Sequence, residues 1–465
     1  MIGRMKTNKR IVRVIVVISA LFLALLSYLM YFNMFQAEKV SVNPYNRRQW
    51  DDERYITRGT IYDSSGLVLA ETVDDGKGNS VRKYPFGRIY SHVIGYCSQV
   101  YGKSLLEMEY DSELLGKGDL DLFQGDKKQG FDLNLTINNT IQKYSYEQMR
   151  GKRGALVALD PETGKVLAMI SLPDFDPNSA SLEANWGNIV EDENSPLIPR
   201  AVQGLYPPGS TYKIVTAAAA FENGYQNKLF KDEGKFQVDD LTVENYNQKA
   251  YGEISLERAF QVSSNQVFCS IGFELGSEIM KEISERFWIG KAFNSDIPIS
   301  SSRIEYKKMT NPDSALVAIG QGQLLATPIE MAVICSAIAN GGEILRPYLV
   351  DSVTKNNTVI SRGRTKSLGR AISPECASYI AEQMVETVNN GTGTKARISG
   401  VTVAGKTGTA ENEKDKDHAW FVGFAPAENP EIAVAVILEN DGRSGGDSAA
   451  PIARNVINKY LSVIK

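Results

Sequence analysis

Ser210 and Lys213 stand three residues apart in the stretch Tyr206-Pro207-Pro208-Gly209-Ser210-Thr211-Tyr212-Lys213. On a helix that spacing puts both side chains on one face, so a lysine amine can reach a serine hydroxyl at the positive end of the helix. A serine hydroxyl is a poor nucleophile until a neighbouring base takes its proton. Lysine serves as that base only where burial or a second cation holds it neutral. Alone, the spacing is common in long chains and fits an ordinary helix start. Two clusters downstream change its weight. Ser263-Ser264-Asn265 alone reads as a helix cap, and Lys406-Thr407-Gly408-Thr409 alone reads as a turn at the end of the strand-like segment 401–405. Together they supply a second hydroxyl, an amide, a second cation and two further hydroxyls. The chain has only two histidines, His92 and His418, and no G-x-S-x-G elbow, so a Ser-His-Asp triad has no scaffold.

These residues need a helix, a loop and a strand to meet. Pro207, Pro208 and Gly209 cannot continue a helix but can set up its start. Ile214, Ala217, Ala218 and Phe221 then recur at helical spacing to Gly224, which predicts a helix over 210–223. Its four alanines at 217–220 imply close packing on most sides, hence a central helix. A polar insertion follows at 225–253, then helical patterns at 255–287 and 328–340. Strands are expected at 133–137, in a hairpin at 154–160 and 165–170 around Pro161-Glu162-Thr163-Gly164, and at 419–424 and 431–438. A helix is expected at 139–150 and another at 450–463. Strands at both ends with helices between them predict an α+β domain, one antiparallel sheet flanked by helices. The region 40–132 is polar and turn-rich, with short strands around Ser64-Ser65-Gly66, a loop at 74–80, a short helix within 102–116 and a glycine-punctuated connector at 118–130. It reads as an extended spacer without a large core.

The chain has 465 residues, 43% of them hydrophobic, and a formal charge of −4, which gives no sign of nucleic-acid binding. Residues 14–32 carry no charge, and at about 1.5 Å per residue they span the ~30 Å hydrocarbon core. Arg4, Lys6, Lys9, Arg10 and Arg13 precede them, which predicts a cytoplasmic N-terminus and an exported remainder. A cleaved signal peptide would have a shorter apolar region and an A-x-A-like site, whereas Asn33-Met34-Phe35-Gln36-Ala37 follows here, so a retained anchor is expected. Cys97, Cys269, Cys335 and Cys376 form no C-x-x-C pair and read as core thiols. No metal or cofactor is called for. Gly400-x-x-x-x-Gly405-Lys406-Thr407 matches a phosphate-loop pattern literally. Its interior Val401-Thr402-Val403-Ala404 prefers strand, and no apolar helical face follows at 408–416, so nucleotide binding is not expected. Gly391-Thr392-Gly393-Thr394 reads as a turn.

The three clusters fall in the order and roles of the S-x-x-K, S-x-N and K-T-G motifs of penicillin-interacting enzymes. The chain resembles a class B penicillin-binding protein, a membrane-anchored peptidoglycan D,D-transpeptidase, over nearly its whole length. The resemblance includes Arg58-Gly59-x-Ile61-x-Asp63 and Leu106-Glu107, Tyr110-Asp111 and Leu114-x-Gly116 in the pedestal. Further on it includes Tyr206-Pro207-Pro208-Gly209-Ser210, Gly320-Gln321-Gly322-Gln323, Ala326-Thr327-Pro328, Lys406-Thr407-Gly408-Thr409-Ala410-Glu411 and Trp420-Phe421-x-Gly423. Ser64 departs from it, standing where the pedestal motif usually has arginine. No repeat domain follows, as in the short form. The division implied is a cytoplasmic tail at 1–13, an anchor at 14–32, an elongated pedestal at 33–145 and a transpeptidase domain of penicillin-binding/β-lactamase-like fold at 146–465.

By that resemblance Ser210 is the acylated nucleophile, Lys213 its base, and Ser263 the relay to the leaving amine. Asn265 holds the substrate peptide, Thr407 and Thr409 bind the donor's terminal carboxylate, and Gly408 belongs to the same substrate-binding motif. Lys406 is the second cation that favours a neutral Lys213. The N–H groups of Ser210 and Thr409 form the oxyanion hole, where one donor is usually worth ~3 kcal/mol. The expected partners are stem peptides with a D-Ala-D-Ala donor and an amine acceptor, β-lactams as covalent inhibitors, and a polytopic glycan polymerase of the SEDS family. A D,D-carboxypeptidase, a β-lactamase and a non-enzymatic β-lactam sensor share part of this machinery. No dedicated deacylating glutamate is identifiable, and the short tail offers no signalling portion, which favours transpeptidation.

Overall fold

The computed structural model describes residues 9–35, 56–74, 76, 80–117, 128–305, 309–412 and 415–464. The basic residues at 1–8, the connector at 118–127 and most of the loop at 74–80 lie outside the described residues. The apolar N-terminal run is one helix, α1 (Lys9–Phe35), whose segment Ile11–Phe32 has a mean hydropathy of 2.5 and is unburied throughout.

Five strands build the central sheet: β1 (Gly154–Leu159), β2 (Val166–Leu172), β3 (Ala404–Ala410), β4 (His418–Ala425) and β5 (Ile432–Leu438). They are antiparallel throughout, in the order β2-β1-β5-β4-β3. Every residue of β1, β2, β4 and β5 is buried. This explains why these strands read as continuous apolar runs with no polar alternation: both faces are covered. Along β1, Ala155, Val157 and Leu159 join one core, while Leu156 and Ala158 join the other with α2 (Asn139–Met149) and α7 (Gly445–Ile464). On the first face lie α3 (Lys213–Glu222), α4 (Asn265–Arg286), α5 (Pro328–Ala339) and α6 (Pro374–Asn390). In α3, Lys213 through Ala220 are all buried, as the alanine run implies.

The sheet's open edge is β3, and here the structure differs from expectation. Lys406-Thr407-Gly408-Thr409 lies within the strand, not in a turn after it, and residues 401–403 form only an isolated bridge with Ile398. Packing overrides the β-branched preference of 401–403. A Cβ at Gly405 would stand 2.4 Å from the Phe421 ring, and one at Gly408 would stand 3.0 Å from Trp420 and Thr211, so only glycines let this edge strand approach its neighbours. The Gly405-Lys406-Thr407 end of the phosphate-loop pattern is therefore strand backbone, and no helix directly follows it among the described residues.

The N-terminal region is no mere spacer. Its six-stranded sheet runs Thr358–Arg362, Val350–Lys355, Asp132–Leu135, Ile61–Tyr62, Val68–Asp74 and Ser80–Lys83, so two of its strands come from far along the chain. Leu133 pairs in parallel with Ile61 and antiparallel with Val353. Ile61, Leu69, Tyr84, Ile94, Leu106 and Leu133 are buried in a core continuous with that of the catalytic region. At its centre is an ion cluster. Arg58 Nε donates to Glu107 Oε2 at 2.6 Å, Arg82 Nε to Glu107 Oε1 at 2.7 Å, and Lys103 Nζ to Asp111 Oδ1 at 2.6 Å. The sequence pattern misses this core because its polar centre breaks the apolar periodicity. Two carboxylates are among the ties to the catalytic region. Asp63 Oδ2 accepts from the Asn139 N–H that opens α2, and the Tyr110 hydroxyl donates to Asp296, which accepts from Leu349 and Val350 N–H. The expected division at 145/146 falls inside α2, which packs on the central sheet. All four cysteines are free and buried.

Candidate active site

Ser210 does not open a regular α-helix; it lies in a 3₁₀ turn, Gly209–Tyr212, that runs directly into α3 at Lys213. A 3₁₀ turn brings residues i and i+3 into line, which keeps Ser210 above Lys213. The turn is held from outside. Gly209 N–H donates to Gly320 O at 2.9 Å, Trp420 Nε1 to Pro207 O at 3.1 Å, and Thr211 Oγ1 to Pro208 O at 2.7 Å. Tyr206 pairs with Ala326 through both backbone groups, and its hydroxyl meets Glu439, itself held by Arg200 Nε at 2.7 Å. Gly320, at φ +75°, is indispensable, because a Cβ there would stand 2.1 Å from Gly209 O.

Lys213 and Lys406 are both fully buried and converge on Ser263. Lys213 Nζ lies 2.8 Å from Ser263 O, 2.8 Å from Asn265 Oδ1 and 3.3 Å from Ser263 Oγ. Lys406 Nζ lies 2.9 Å from Ser263 Oγ and 3.1 Å from Thr407 O. Among the described residues, the Lys213 amine bonds to Ser263 and Asn265 and not to Ser210, contrary to the direct contact expected from spacing alone. Burial against the Phe268 ring pushes the Lys213 ammonium down to about 7, the Cys269 and Asp232 groups opposing the shift. Burial pushes Lys406 well below its ordinary range, and the charge of Lys213 pushes it further. Among the described residues no carboxylate bonds to either amine, so burial and like charge favour the neutral form, and a neutral amine carries a free lone pair.

Ser263 has φ +59°, a left-handed conformation that serine rarely adopts. Ser264 then caps α4 by accepting from Val267 N–H at 3.1 Å. On β3, a Cβ at Gly209 would stand 2.7 Å from Thr409 O, so that carbonyl faces the Ser210 turn. The N–H and C=O of one strand residue point to the same side of the ladder, so the Thr409 N–H also faces the turn. Thr407 Oγ1 shares a 2.6 Å hydrogen bond with Thr392 Oγ1. The Gly391-Thr392-Gly393-Thr394 run, legible only as a turn, thus brings a hydroxyl to the site. Lys213, Ser263, Asn265, Lys406 and Thr407 form one connected cluster, with Ser210, Gly408 and Thr409 at its margin. Sequence reasoning also missed Asp232 and Asn245, buried residues of the 225–253 insertion that bond to Ser264 and to the Asn265 N–H. Two isolated polar residues within a polar stretch carry no signal of their own. Among the described residues no cluster of His, Cys, Asp and Glu could hold a metal.

Comparison with known proteins gives a consistent picture. The family described as penicillin binding protein transpeptidase domain matches residues 154–458, and that described as penicillin binding protein A dimerisation domain matches residues 58–132. Peptidoglycan D,D-transpeptidase PbpA of Mycolicibacterium smegmatis is 34% identical over 494 residues, spanning 98% of this chain and 99% of that protein. Peptidoglycan D,D-transpeptidase MrdA of Acinetobacter baumannii is 31% identical over 445 residues, spanning 82% of this chain and 66% of that protein. The ceftriaxone acyl-enzyme complex of penicillin-binding protein A from M. tuberculosis superposes with a TM-score of 0.83 at 33% identity, covering 88% of this chain and 99% of that one.

Proposed function

The chain belongs to the penicillin-binding protein transpeptidase family as a peptidoglycan D,D-transpeptidase of class B type, and from that premise we propose that Ser210 carries its acyl-enzyme. The observation that supports this most is the convergence of two buried lysines on Ser263 Oγ beside the Ser210 turn. A neutral Lys213 has two N–H donors, and Ser263 O and Asn265 Oδ1 can take both. Its lone pair is then free to accept the Ser210 proton as Oγ attacks the carbonyl of the penultimate D-Ala of the donor stem peptide. The Ser210 and Thr409 N–H groups receive the developing oxyanion. The proton passes from Lys213 through Ser263 Oγ, polarised by Lys406, to the departing D-Ala amine. An acceptor amine then attacks the ester and returns the hydroxyl to Ser210. β3 is an edge strand, so the donor can add along it as a further strand, with Thr407 and Thr409 at its terminal carboxylate, Gly408 allowing close approach and Asn265 on its backbone. In a β-lactam the cleaved amide remains tethered to the acyl group, so no leaving group departs and the enzyme is trapped.

Transpeptidation requires an acyl-enzyme that resists water, and Asp232 supports this. It is the carboxylate that acts on Lys213, yet both its oxygens are engaged: Gly234 N–H and Asn245 Nδ2 bond to Oδ1, and Asn245 Nδ2 and Ser264 Oγ bond to Oδ2. It is not free to activate a deacylating water. A chromogenic cephalosporin should therefore give one stoichiometric burst, then near silence for many minutes. Turnover of several per second would identify a β-lactamase instead.

One N-terminal apolar helix fits a single-pass membrane anchor. We place its N-terminus in the cytoplasm and the catalytic region outside, because Lys9, Arg10 and Arg13 flank that end. Protease added to intact spheroplasts should remove the region beyond about residue 40 and spare an N-terminal tag. Protection of the catalytic region would reverse the orientation. The family resemblance further suggests a polytopic SEDS-family polymerase as the membrane partner, met through α1 and the pedestal, and co-purification with the full-length chain tests it.

A further inference from the structure

We infer that Asn245 and Asp232, outside the three motifs, are positioning residues for the reaction: they clasp the Ser263-Ser264-Asn265 turn so that it faces Lys213. This rests on the assignment of Ser210 and Lys213 made above. The clasp is reciprocal. From the insertion, the Asn245 Oδ1 accepts from Asn265 N–H at 2.8 Å and Gln266 N–H at 3.0 Å, the free donors at the start of α4. Its Nδ2 donates to Asp232 Oδ1 at 2.8 Å and to Lys249 O at 2.9 Å, which fixes the amide's orientation. From the other side, Ser264 Oγ donates to Asp232 Oδ2 at 2.6 Å. Gln266 Oε1 accepts from Glu233 N–H at 2.6 Å and Lys235 N–H at 3.0 Å, and its Nε2 donates to Lys231 O at 3.1 Å. Asn265 Nδ2 adds a bond to Glu244 O at 2.9 Å, which turns its Oδ1 toward Lys213.

This brace does more than join two segments. A serine in the left-handed region costs on the order of 1–2 kcal/mol and persists only where its surroundings over-determine it. Ser263 is that residue, and Asp232, Asn245 and Ser264, all buried, sit immediately behind it. Release of the turn would let Ser263 relax to negative φ and carry its carbonyl and hydroxyl away from both lysines. Asp232 has a second effect, because its carboxylate favours the protonated form of Lys213. Cys269 of α4 acts on that amine in the same sense, and Lys406 of β3, which shares Ser263 with it, feels its charge. Glu257, Cys376 and Tyr379, from the other helices around α3, gather at its far end beside Phe221 and Glu222.

The test uses the full-length protein in detergent, with a fluorescent penicillin as probe. Labelling of the wild-type chain on the Ser210 peptide is established first; its absence would refute the assignment of the nucleophile and not the clasp. Asn245→Ala should then slow acylation about 100-fold, the usual cost of displacing a reacting group by about 1 Å, while circular dichroism stays native. Asp232→Asn keeps the shape and removes the charge. Acylation needs the neutral amine, so it rises with pH as Lys213 loses its proton. Loss of the carboxylate makes that proton easier to lose, and the acid limb should move down by about half a pH unit or more. A merely structural role for Asp232 would lower the rate and leave the limb in place. If either variant fails to fold, Ser264→Ala, which removes the Oγ bonds to Asp232 and Asn245 together with the cap on Val267 N–H, should slow acylation about 10-fold, in line with a lost hydrogen bond to a charged group. Wild-type rates in folded Asn245→Ala or Ser264→Ala, or an unmoved acid limb in Asp232→Asn, would overturn the inference.

Discussion

Ser210→Ala is expected to reduce labelling by a fluorescent penicillin to background, and Lys213→Arg to do nearly the same. The two losses have different causes. Alanine removes the atom that would form the ester, so no residual acylation survives at this position. Arginine keeps a cation in place but cannot be neutral at working pH, so it cannot take the serine proton. Its fork would also need space beside Phe268 and Ser263, where a single amine is enclosed. Loss of general-base assistance alone costs about 10²–10⁴-fold, and the misfit adds to it. Intact-mass measurement of the penicilloyl adduct checks both. Full stoichiometric labelling of Ser210→Ala would remove Ser210 from the mechanism, and acylation of Lys213→Arg within tenfold of wild type would remove Lys213 as the base.

The second large effect lies far from the chemistry. Glu107 is completely buried and holds Arg58 and Arg82 through separate carboxylate oxygens, with the Tyr84 hydroxyl on one of them at 3.1 Å. Glu107→Ala leaves the buried Arg82 guanidinium without a carboxylate and Arg58 with Asp111 alone, and breaking a buried pair in this way typically costs about 3–5 kcal/mol. A chemical-denaturation midpoint should fall accordingly, and a loss under about 1 kcal/mol would show that the cluster relaxes or hydrates freely. The same cluster predicts acid sensitivity. Burial alone would raise the Glu107 carboxyl, but Arg82 and Arg58 outweigh it and hold it below the usual range; Arg58 and Lys103 do the same for Asp111. A carboxyl depressed in the folded state contributes stability above its unfolded pKa of about 4, and that contribution is lost as pH falls through the depressed value.

Ser210, Lys213, Ser263, Asn265 and Lys406 through Thr409 stood out as candidates because each cluster is compact and the three occur in order, and the structure brings Lys213, Ser263, Asn265, Lys406 and Thr407 together. The five-stranded sheet was legible in its inner strands because double-sided burial makes apolar runs, as in Ile432–Leu438. The six-stranded sheet was only half legible. Thr358–Arg362 is exposed along its whole length and carries no alternation to betray a strand. α6 was missed although Ser373 and Pro374 make an ordinary helix start, because its buried face includes the polar Gln383 and Thr387. The ion cluster joins Arg58, Arg82, Glu107 and Asp111 across long sequence separations, and each alone looks like a surface charge. Asp232 and Asn245 were hidden for the same reason: their meaning lies in what they touch.

The pedestal sheet also carries a constraint in time. Leu135 pairs with Val350, so the strand that completes the sheet follows the Ser210 segment in the chain. With the orientation proposed above, the chain beyond α1 crosses the membrane in sequence order, and Asp132–Leu135 then waits with one edge open until Val350 arrives. Closure of such a long loop is slow, and an unpaired edge is where chains aggregate. The pedestal is thus first in the gene and among the last parts to be finished. A chain stalled before Val350 would leave the pedestal sheet open at Asp132–Leu135, whereas one stalled after Arg362 would have the pedestal strands complete and still lack the last three strands of the central sheet.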